Sequence, residues 1–367
     1  MRVDRLWITD FRNYTAIELE LVPGLTVVVG PNGSGKTNLL EAVGYLATLA
    51  SFRGAPREAL VREGADRAVV RAEADRDGRA LLLEAEIGGR GGDRVLVNRQ
   101  PLRRARELLG ALRVTVFSPD DLALVKGGPG ERRRLLDDAL VALHPKHDTL
   151  RSALDRVLRQ RNTLLRQAGG RLTPEVAATL DVWDAQLVET GEALATARVD
   201  LVHRLEPRLD KAYGRLAGDG ATDGAAGAVG ARYEAPWRAA GLATALAAAR
   251  ADELRRGVSL VGPQRDDLAL TIAGLPARTH ASQGEQRSLA LALRLAAHEL
   301  VADTTGTPPV LLLDDVFSEL DPARSAALLA HLPAGQGLLT TAGVLPPGLE
   351  AGRVVRVRDG HLVADGS

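Results

Sequence analysis

Apolar positions follow two different periods along this chain. In the first hundred residues they alternate with polar ones. Val3 to Thr9 and Ala16 to Val22 read as strands, the second through Ile17, Leu19 and Leu21 with polar neighbours, as in a strand with one wet face. Phe11-Arg12-Asn13-Tyr14 connects them as a hairpin. Leu25 to Val29 is a short apolar run that leads into a glycine-rich stretch and then a helical segment from Asn38 to about Leu49. Three more strand patterns lie between Val69 and Val97, split by turn clusters at 75–78 and 88–93.

From Ser118-Pro119-Asp120, a good helix start, to about Ala217 the period becomes helical. Leu150, Leu154, Val157, Leu158, Leu164 and Leu165 form one face. Leu180, Trp183, Leu187, Leu194, Leu201, Leu205 and Leu209 form another, with Pro207 expected to kink the end. Joined through Gly169-Gly170 and Thr173-Pro174, the two helices predict an antiparallel arm, each on the order of 40–50 Å long. The Gly/Ala-rich stretch at 219–230 reads as a loop. Strand character returns at Val258–Val261 and Asp267–Ile272, and a helix opens at Ser282 and runs to about Val301. Val310-Leu311-Leu312-Leu313 is the pattern of a buried parallel strand, ending in Asp314-Asp315. Pro322 starts another helix, Leu338 to Thr341 reads as a core strand, and the tail alternates through Val354, Val355 and Val357. The pattern predicts an α/β protein: a mixed sheet with helices around the glycine loop, plus a mainly helical second lobe with a short arm. The expected division is 1–118, 119–301 carrying the arm and the Ser282 helix, and 302–367 returning to the first lobe.

The glycine stretch carries the clearest chemistry. Gly30-Pro31-Asn32-Gly33-Ser34-Gly35-Lys36-Thr37, with Asn38 continuing the helix, stands between a strand and a helix. That is the setting of a phosphate-binding loop, in which backbone N–H groups form an anion nest at a helix N-terminus. Lys36 is placed to reach the β- and γ-phosphates of ATP and Thr37 to bind Mg²⁺. Asp314 is then the second Mg²⁺ ligand, direct or through water, and Asp315 the group that polarises an attacking water. Ser282 with Glu285 three residues on is a capping box, worth about 1 kcal/mol locally if that is all it does. With Gly284 beside it, the same helix start can also receive a phosphate.

Composition narrows the picture. The 367 residues carry no net charge, so DNA binding would need a local patch. The candidates are Arg103, Arg104 and Arg106, and Arg132, Arg133 and Arg134. With no cysteine, disulfides and thiolate zinc sites are excluded, which fits a reducing cytoplasm. No apolar run is long enough to span a membrane, and the first thirty residues lack a signal-peptide pattern.

The order of motifs is informative: glycine loop, long helical insertion, Ser282 motif, then acidic strand. It resembles the ABC-type ATPase heads of the SMC and Rad50 class, with Walker A at Gly30–Thr37, the signature at Ser282–Gln286, Walker B at Val310–Asp315 and the D-loop at Ser318–Asp321. Within that class the chain is most similar to the RecF family of DNA repair proteins. Phe11–Tyr14, Ser118–Leu122, Gly262–Leu268, Ser282–Arg287 and Leu311–Asp321 carry this. The resemblance implies ATP-driven homodimerisation, with Ser282 and Gly284 capping the ATP held at the partner's phosphate loop. It implies that Arg12 and Asn13 contact adenine or its phosphates, and that Lys36, Asp315 and Ser282 serve a weak, DNA-stimulated ATPase. It also implies duplex and gapped DNA, RecR and RecO as partners, RecA indirectly, and a cytoplasmic, nucleoid-associated place.

Departures are visible too. Asp315 stands where ABC proteins usually have glutamate, and its shorter side chain suits slow hydrolysis. Gln264 stands where the family usually has histidine. The transporter switch histidine is absent, with Thr340 or Thr341 near its place, and no glutamine is identified for the Q-loop. A transporter subunit would share the motif order, but the helical insertion and the double-aspartate ending argue against it. An SMC-like structural ATPase would need a far longer coiled coil, and a small-molecule kinase has no need of the Ser282 helix.

Overall fold

The computed structural model describes residues 1–88, 93–217, 229–343 and 345–363. Most of the turn expected at 88–93 and of the loop at 219–230 lies outside them. Strands β1 (Arg2–Phe11), β2 (Tyr14–Glu20) and β3 (Leu25–Val29) lead into helix α1 (Lys36–Thr48). Then come β4 (Arg67–Arg76), β5 (Arg79–Gly88), β6 (Arg94–Val97), β7 (Gln100–Pro101) and β8 (Val114–Phe117). Helices α2 (Ala123–Lys126), α3 (Pro129–Leu143), α4 (Lys146–Ala168) and α5 (Pro174–Ala217) follow. Next are β9 (Val229–Glu234), α6 (Leu242–Arg256), β10 (Asp267–Ile272), β11 (Leu275–Pro276), α7 (Ala277–His280) and α8 (Gln283–Thr305). The last described elements are β12 (Val310–Asp314), α9 (Pro322–Ala330), β13 (Gly337–Thr341), β14 (Arg353–Arg358) and β15 (His361–Val363).

The described residues divide into two compact units, one within 1–122, 208–226 and 282–367 and the other within 123–207 and 227–281. The first unit has two six-stranded sheets, β2-β1-β4-β5-β6-β7 and β15-β14-β3-β13-β12-β8. The former is antiparallel, and in the latter β14, β3, β13, β12 and β8 run parallel. Helix α1 shares one apolar core with strands of both sheets and buries Leu39, Leu40, Val43, Tyr45 and Leu46. An unbroken run of buried residues from Leu39 to Ala47, the ion-paired Glu41 among them, suits a helix with protein on every side. Gln336 pins the sheets where they meet: its amide accepts from Val3 N–H at 2.7 Å and donates to Val3 O at 2.7 Å and Val22 O at 3.1 Å.

Helix α8 belongs to this first unit, not to a lobe spanning 119–301 as the sequence suggested. The reason is packing. Arg294 holds the Asp121 carboxylate at 2.7 Å, His298 meets Thr115 Oγ1 at 3.0 Å, and Leu289, Leu293, Leu295 and Leu300 are buried.

The second unit is helical with a three-stranded sheet, β11-β10-β9. Only β10 was expected in that sheet; the Gly/Ala-rich stretch ends in β9, and α6 was not foreseen. Val258–Val261 is not a strand. Side chains take the place of a strand partner there: Ser259 N–H donates to Asn162 Oδ1 at 2.8 Å and Leu260 N–H to Glu253 Oε1 at 2.7 Å. The Ser118-Pro119 start gives only a 3-10 turn at Pro119–Leu122, then the short α2, before Gly127-Gly128 breaks the chain and Pro129 opens α3.

The antiparallel arm forms with unequal helices. Helix α4 has 23 residues and α5 has 44, or about 35 and 66 Å at the usual rise. Pro207 lies inside α5 rather than at its end. Leu165 packs with Leu180, and Arg161 bonds Asp184, pairs placed symmetrically about the turn at 169–173. Arg161 is fully buried and donates to Asp184 at 2.6 Å, Glu253 at 2.6 Å and Ser259 Oγ at 2.8 Å, joining α4, α5 and α6. Removing one partner of a buried ion cluster strands the others, at a cost of about 3–5 kcal/mol. Arg161→Met is therefore expected to lower the unfolding free energy by about that amount in urea melts followed by tryptophan fluorescence. A loss under about 1 kcal/mol would mean the acids find other partners or protonate cheaply.

Candidate functional site

The parallel strands bring their carboxyl ends into one row. Val29 of β3 is level with Thr341 of β13, Thr340 with Asp314 of β12, and Leu313 with Phe117 of β8. Gly30, Thr340, Asp314 and Ser118 therefore line one edge, where open α/β sheets place their ligands.

The glycine loop at 30–35 is held from outside by the hairpin at 11–14. Asn13 donates its amide to Ser34 O at 3.1 Å and accepts from Asn38 Nδ2 at 2.8 Å. The Tyr14 hydroxyl donates to Gly35 O at 2.9 Å, and burial pushes its pKa up. Gly35 has φ +110°, and a Cβ there would meet the Asn13 amide nitrogen at 2.5 Å, so only glycine fits. Lys36 Nζ spans the loop, donating to Gly30 O at 2.7 Å and Pro31 O at 2.9 Å. Burial lowers its pKa, opposed by the nearby Asp315 and Asp314 carboxylates. Ser34 Oγ is buried with no hydrogen-bond partner. An orphaned donor inside a loop of this shape fits an anion that completes it.

Across the row, Asp314 is the hub. Its Oδ1 accepts from Thr37 Oγ1 at 2.8 Å and from Thr340 Oγ1 at 2.7 Å. Burial raises its pKa; the two hydroxyls and Arg53 oppose the rise. Thr340 in turn accepts the Asp315 N–H at 2.9 Å. Asp315 has φ +47° and starts a 3-10 turn at Val316–Glu319, with Ser318 Oγ donating to its carbonyl at 2.8 Å. Hydroxyl and carboxylate oxygens together are donors for a hard cation. No cluster of three or more metal-ligating His, Asp or Glu side chains occurs among the described residues, so a metal here would share its shell with phosphate or water.

Arg12 lies next to the loop but serves as a strut. Its guanidinium donates to both oxygens of the fully buried Glu41 at 2.7 Å and to Ala59 O at 2.9 Å, and Ser51 Oγ donates to the same carboxylate. Ser282 caps α8 as the spacing predicts: its Oγ accepts Glu285 N–H at 3.3 Å and its own N–H donates to Glu285 Oε2 at 2.7 Å. No hydrogen bond among the described residues joins Ser282 to the loop at 30–37. Instead α8 is tied to the segment after β12. Arg287 donates to Glu319 O at 2.7 Å and to its carboxylate at 2.6 Å, and Arg324 lies across Gly284 while bonding Asp321 and Ser288.

Four contributors escaped sequence reasoning: Arg53, Thr340 as the holder of Asp314, Glu41, and Asp121. Asp121 accepts Ser118 N–H at 3.0 Å and Arg294 at 2.7 Å; the double aspartate after Pro119 was its one visible signal. Gln264 lies in the second unit. Its amide donates to Val261 O at 2.7 Å and its Oε1 is buried without a partner. The cluster at 132–134 is not a free basic patch. Arg132 is buried and bonds both oxygens of Asp267 at 2.7 and 2.9 Å, plus the carbonyls of Leu124 and Gly127. Arg133 donates to Asp266 O at 2.7 Å.

The RecF/RecN/SMC N-terminal-domain family matches residues 2–336. The chain is 47% identical, over 99% of both chains, to the DNA replication and repair protein RecF of Streptomyces avermitilis. It is 43% identical to RecF of an Arthrobacter species, over 99% of this chain and 98% of that one. A solved structure of the recombination mediator protein RecF with ATP, described within the RecFOR pathway, superposes with TM-score 0.88 at 27% identity, covering 98% of this chain and 96% of the other. An Smc head domain from Pyrococcus furiosus with an extended coiled coil shares the fold, with TM-score 0.54 at 16% identity, over 98% of this chain and 94% of that chain. The architecture is that of an ABC-type ATPase head.

If Asn13 acts by bracing the loop, Asn13→Ala should speed amide hydrogen exchange across 31–35 without nucleotide and weaken ATP binding about tenfold, the worth of one or two hydrogen bonds. Unchanged exchange with weakened binding would make Asn13 a direct ligand instead.

Proposed function

The chain belongs to the RecF family of DNA replication and repair proteins, and from that premise we propose that it is an ATP-driven DNA-binding switch of recombinational repair. The observation that carries this is the convergence of Lys36, the orphaned Ser34 hydroxyl and the Thr37–Asp314 pair at one edge of the sheet. On this reading the loop amides and Lys36 take the β- and γ-phosphates of ATP, the ammonium leaving the loop carbonyls that it now holds. Thr37 and Asp314 would hold Mg²⁺, which supplies charge neutralisation at the phosphates. Asp315 orients the attacking water. Its carboxylate is one methylene shorter than the usual glutamate, which favours a slow, DNA-stimulated ATPase over rapid turnover. Thr340 fixes both aspartates, one by its hydroxyl proton and one by its lone pair.

The exposed, capped start of α8 is not bonded to its own chain's loop, and we assign its phosphate contact to a partner chain. Two chains would then close on two ATP molecules with isologous symmetry. ATP becomes part of the interface, so association follows nucleotide occupancy by mass action. The closed dimer holds duplex or gapped DNA, and with RecO and RecR promotes RecA loading; hydrolysis releases it in the cytoplasm, on the nucleoid.

Two outcomes test this. Asp315→Asn should bind ATP and dimerise but turn over at least about a hundredfold more slowly, the usual scale for losing a positioned base, and dissociate more slowly from DNA. Normal turnover would move the role to another carboxylate. Ser282→Arg and Lys36→Ala should each fail to dimerise with ATP when alone. Mixed, they can assemble one intact site from the good loop of one chain and the good helix start of the other. Sedimentation should show partial recovery of ATP-dependent association. Wild-type dimerisation by Ser282→Arg alone would reduce the serine to a helix cap.

A further inference from the structure

Most arginines that pack within the second unit are engaged: Arg132, Arg161, Arg198 and Arg250 all hold carboxylates. The outer face of α4 is different. Arg156, Arg159, Gln160, Arg166 and Gln167 are exposed there, opposite the buried Leu154, Val157, Leu158, Arg161 and Leu165. At 3.6 residues per turn they form one stripe about a third of the helix circumference wide. From Arg156 to Arg171 the chain has five arginines and no acid. No hydrogen bond or ion pair engages the guanidinium groups of Arg156, Arg159 or Arg171 among the described residues. Arg166 donates only to the neighbouring Thr163 hydroxyl, at 3.2 Å. Asp155, at the stripe's edge, is the one exposed acid on the helix, and Arg151 and Arg159 both act on it.

The other arm helix is acidic between residues 174 and 200: Glu175, Asp181, Glu189, Glu192 and Asp200 are exposed there, Asp181 paired with Arg250, while the exposed bases Arg204 and Lys211 lie further along α5. The arm is therefore polarised across its width, although the whole chain is neutral.

We propose that the outer face of α4 is a docking surface for the phosphate backbone of duplex DNA. The proposal rests on the reading of this chain as a DNA-binding ATPase and names a surface for it beyond the exposed Arg103, Arg104 and Arg106, the 132–134 cluster being engaged internally. Charge complementarity favours DNA: Arg156 to Arg166 span about 15 Å of helix, a length of B-DNA that carries about nine phosphate charges. The acidic outer face of α5 repels the same backbone and so orients it on one side of the arm. Arginine and amide side chains on a straight helix contact phosphates without reading bases. The stripe has no aromatic side chain on which unpaired bases could stack, which favours duplex over single strand.

The test is anisotropy titration of a mixed-sequence duplex with ATP, between about 50 and 200 mM salt. The triple variant Arg156→Gln, Arg159→Gln, Arg166→Gln should bind ATP like the wild type. Its log–log salt slope should fall by about 2–3, and its affinity at the low-salt end by about tenfold or more. The matching triple lysine variant should keep most of the slope, since charge rather than shape is at stake. Wild-type affinity and slope in the glutamine variant overturn the proposal alone, and the stripe then faces solvent or an acidic protein. Absence of ATP-dependent DNA binding by the wild type overturns the DNA-binding reading and this surface together.

Discussion

Everything at the candidate site depends on one carboxylate kept at the end of a buried strand. A charge in that position is costly unless it is hydrogen-bonded. Asp314 has two hydroxyl donors, Thr37 from the glycine loop and Thr340 from the strand between. Each donor belongs to a segment with its own task, so satisfying the charge also fixes the relative positions of loop, β12 and β13. The apolar run Val310–Leu313 makes the strand fully buried, and that burial makes the pairing obligatory. Packing and chemistry are the same constraint here. A substitution that loosened either threonine would leave the carboxylate under-satisfied before it touched any ligand.

The same logic explains why charges mislead when read along the chain. Arg132, Arg161 and Arg198 are among the most buried charged side chains in the protein. Each bonds carboxylates distant in sequence: Asp267, Glu253 with Asp184, and Asp137. A run of arginines on a helix with a proline start is indistinguishable from a solvated or DNA-facing cluster until the partner is known. Arginine suits this internal use because its planar fork meets both oxygens of a carboxylate. Periodicity, by contrast, was legible. The glycine loop between strand and helix, the buried acidic strand, the hairpin at 11–14 and the capping box of α8 all follow from local pattern, and all are where the pattern put them.

What was not legible depends on contacts between distant segments. Val258–Val261 has the composition of a strand, but Asn162 and Glu253 bind its backbone first. The long helix α8 follows the helical insertion in sequence yet buries its apolar face with β8 in the first unit. Thr340 looks like one more polar residue on a core strand, and its role emerges only from the register that sets it beside Asp314.

Gly284 and Ser282 show how far local structure constrains the proposed contact with a partner's phosphate. At the glycine a Cβ would sit 2.7 Å from the tip of the Arg324 side chain that lies across it, a contact the flexible arginine can relieve by swinging aside. The serine is different. Capping uses one lone pair of its oxygen, to accept Glu285 N–H, and leaves the hydroxyl proton and a second lone pair. A phosphate needs that proton. Glu285 is turned back onto the Ser282 amide, and that hydrogen bonding keeps its pKa low, so it stays ionised near the helix start. Arg324, beside it, offsets the negative charge. The cap thus leaves the one group a phosphate would use, and capping and phosphate binding are compatible roles for the same side chain.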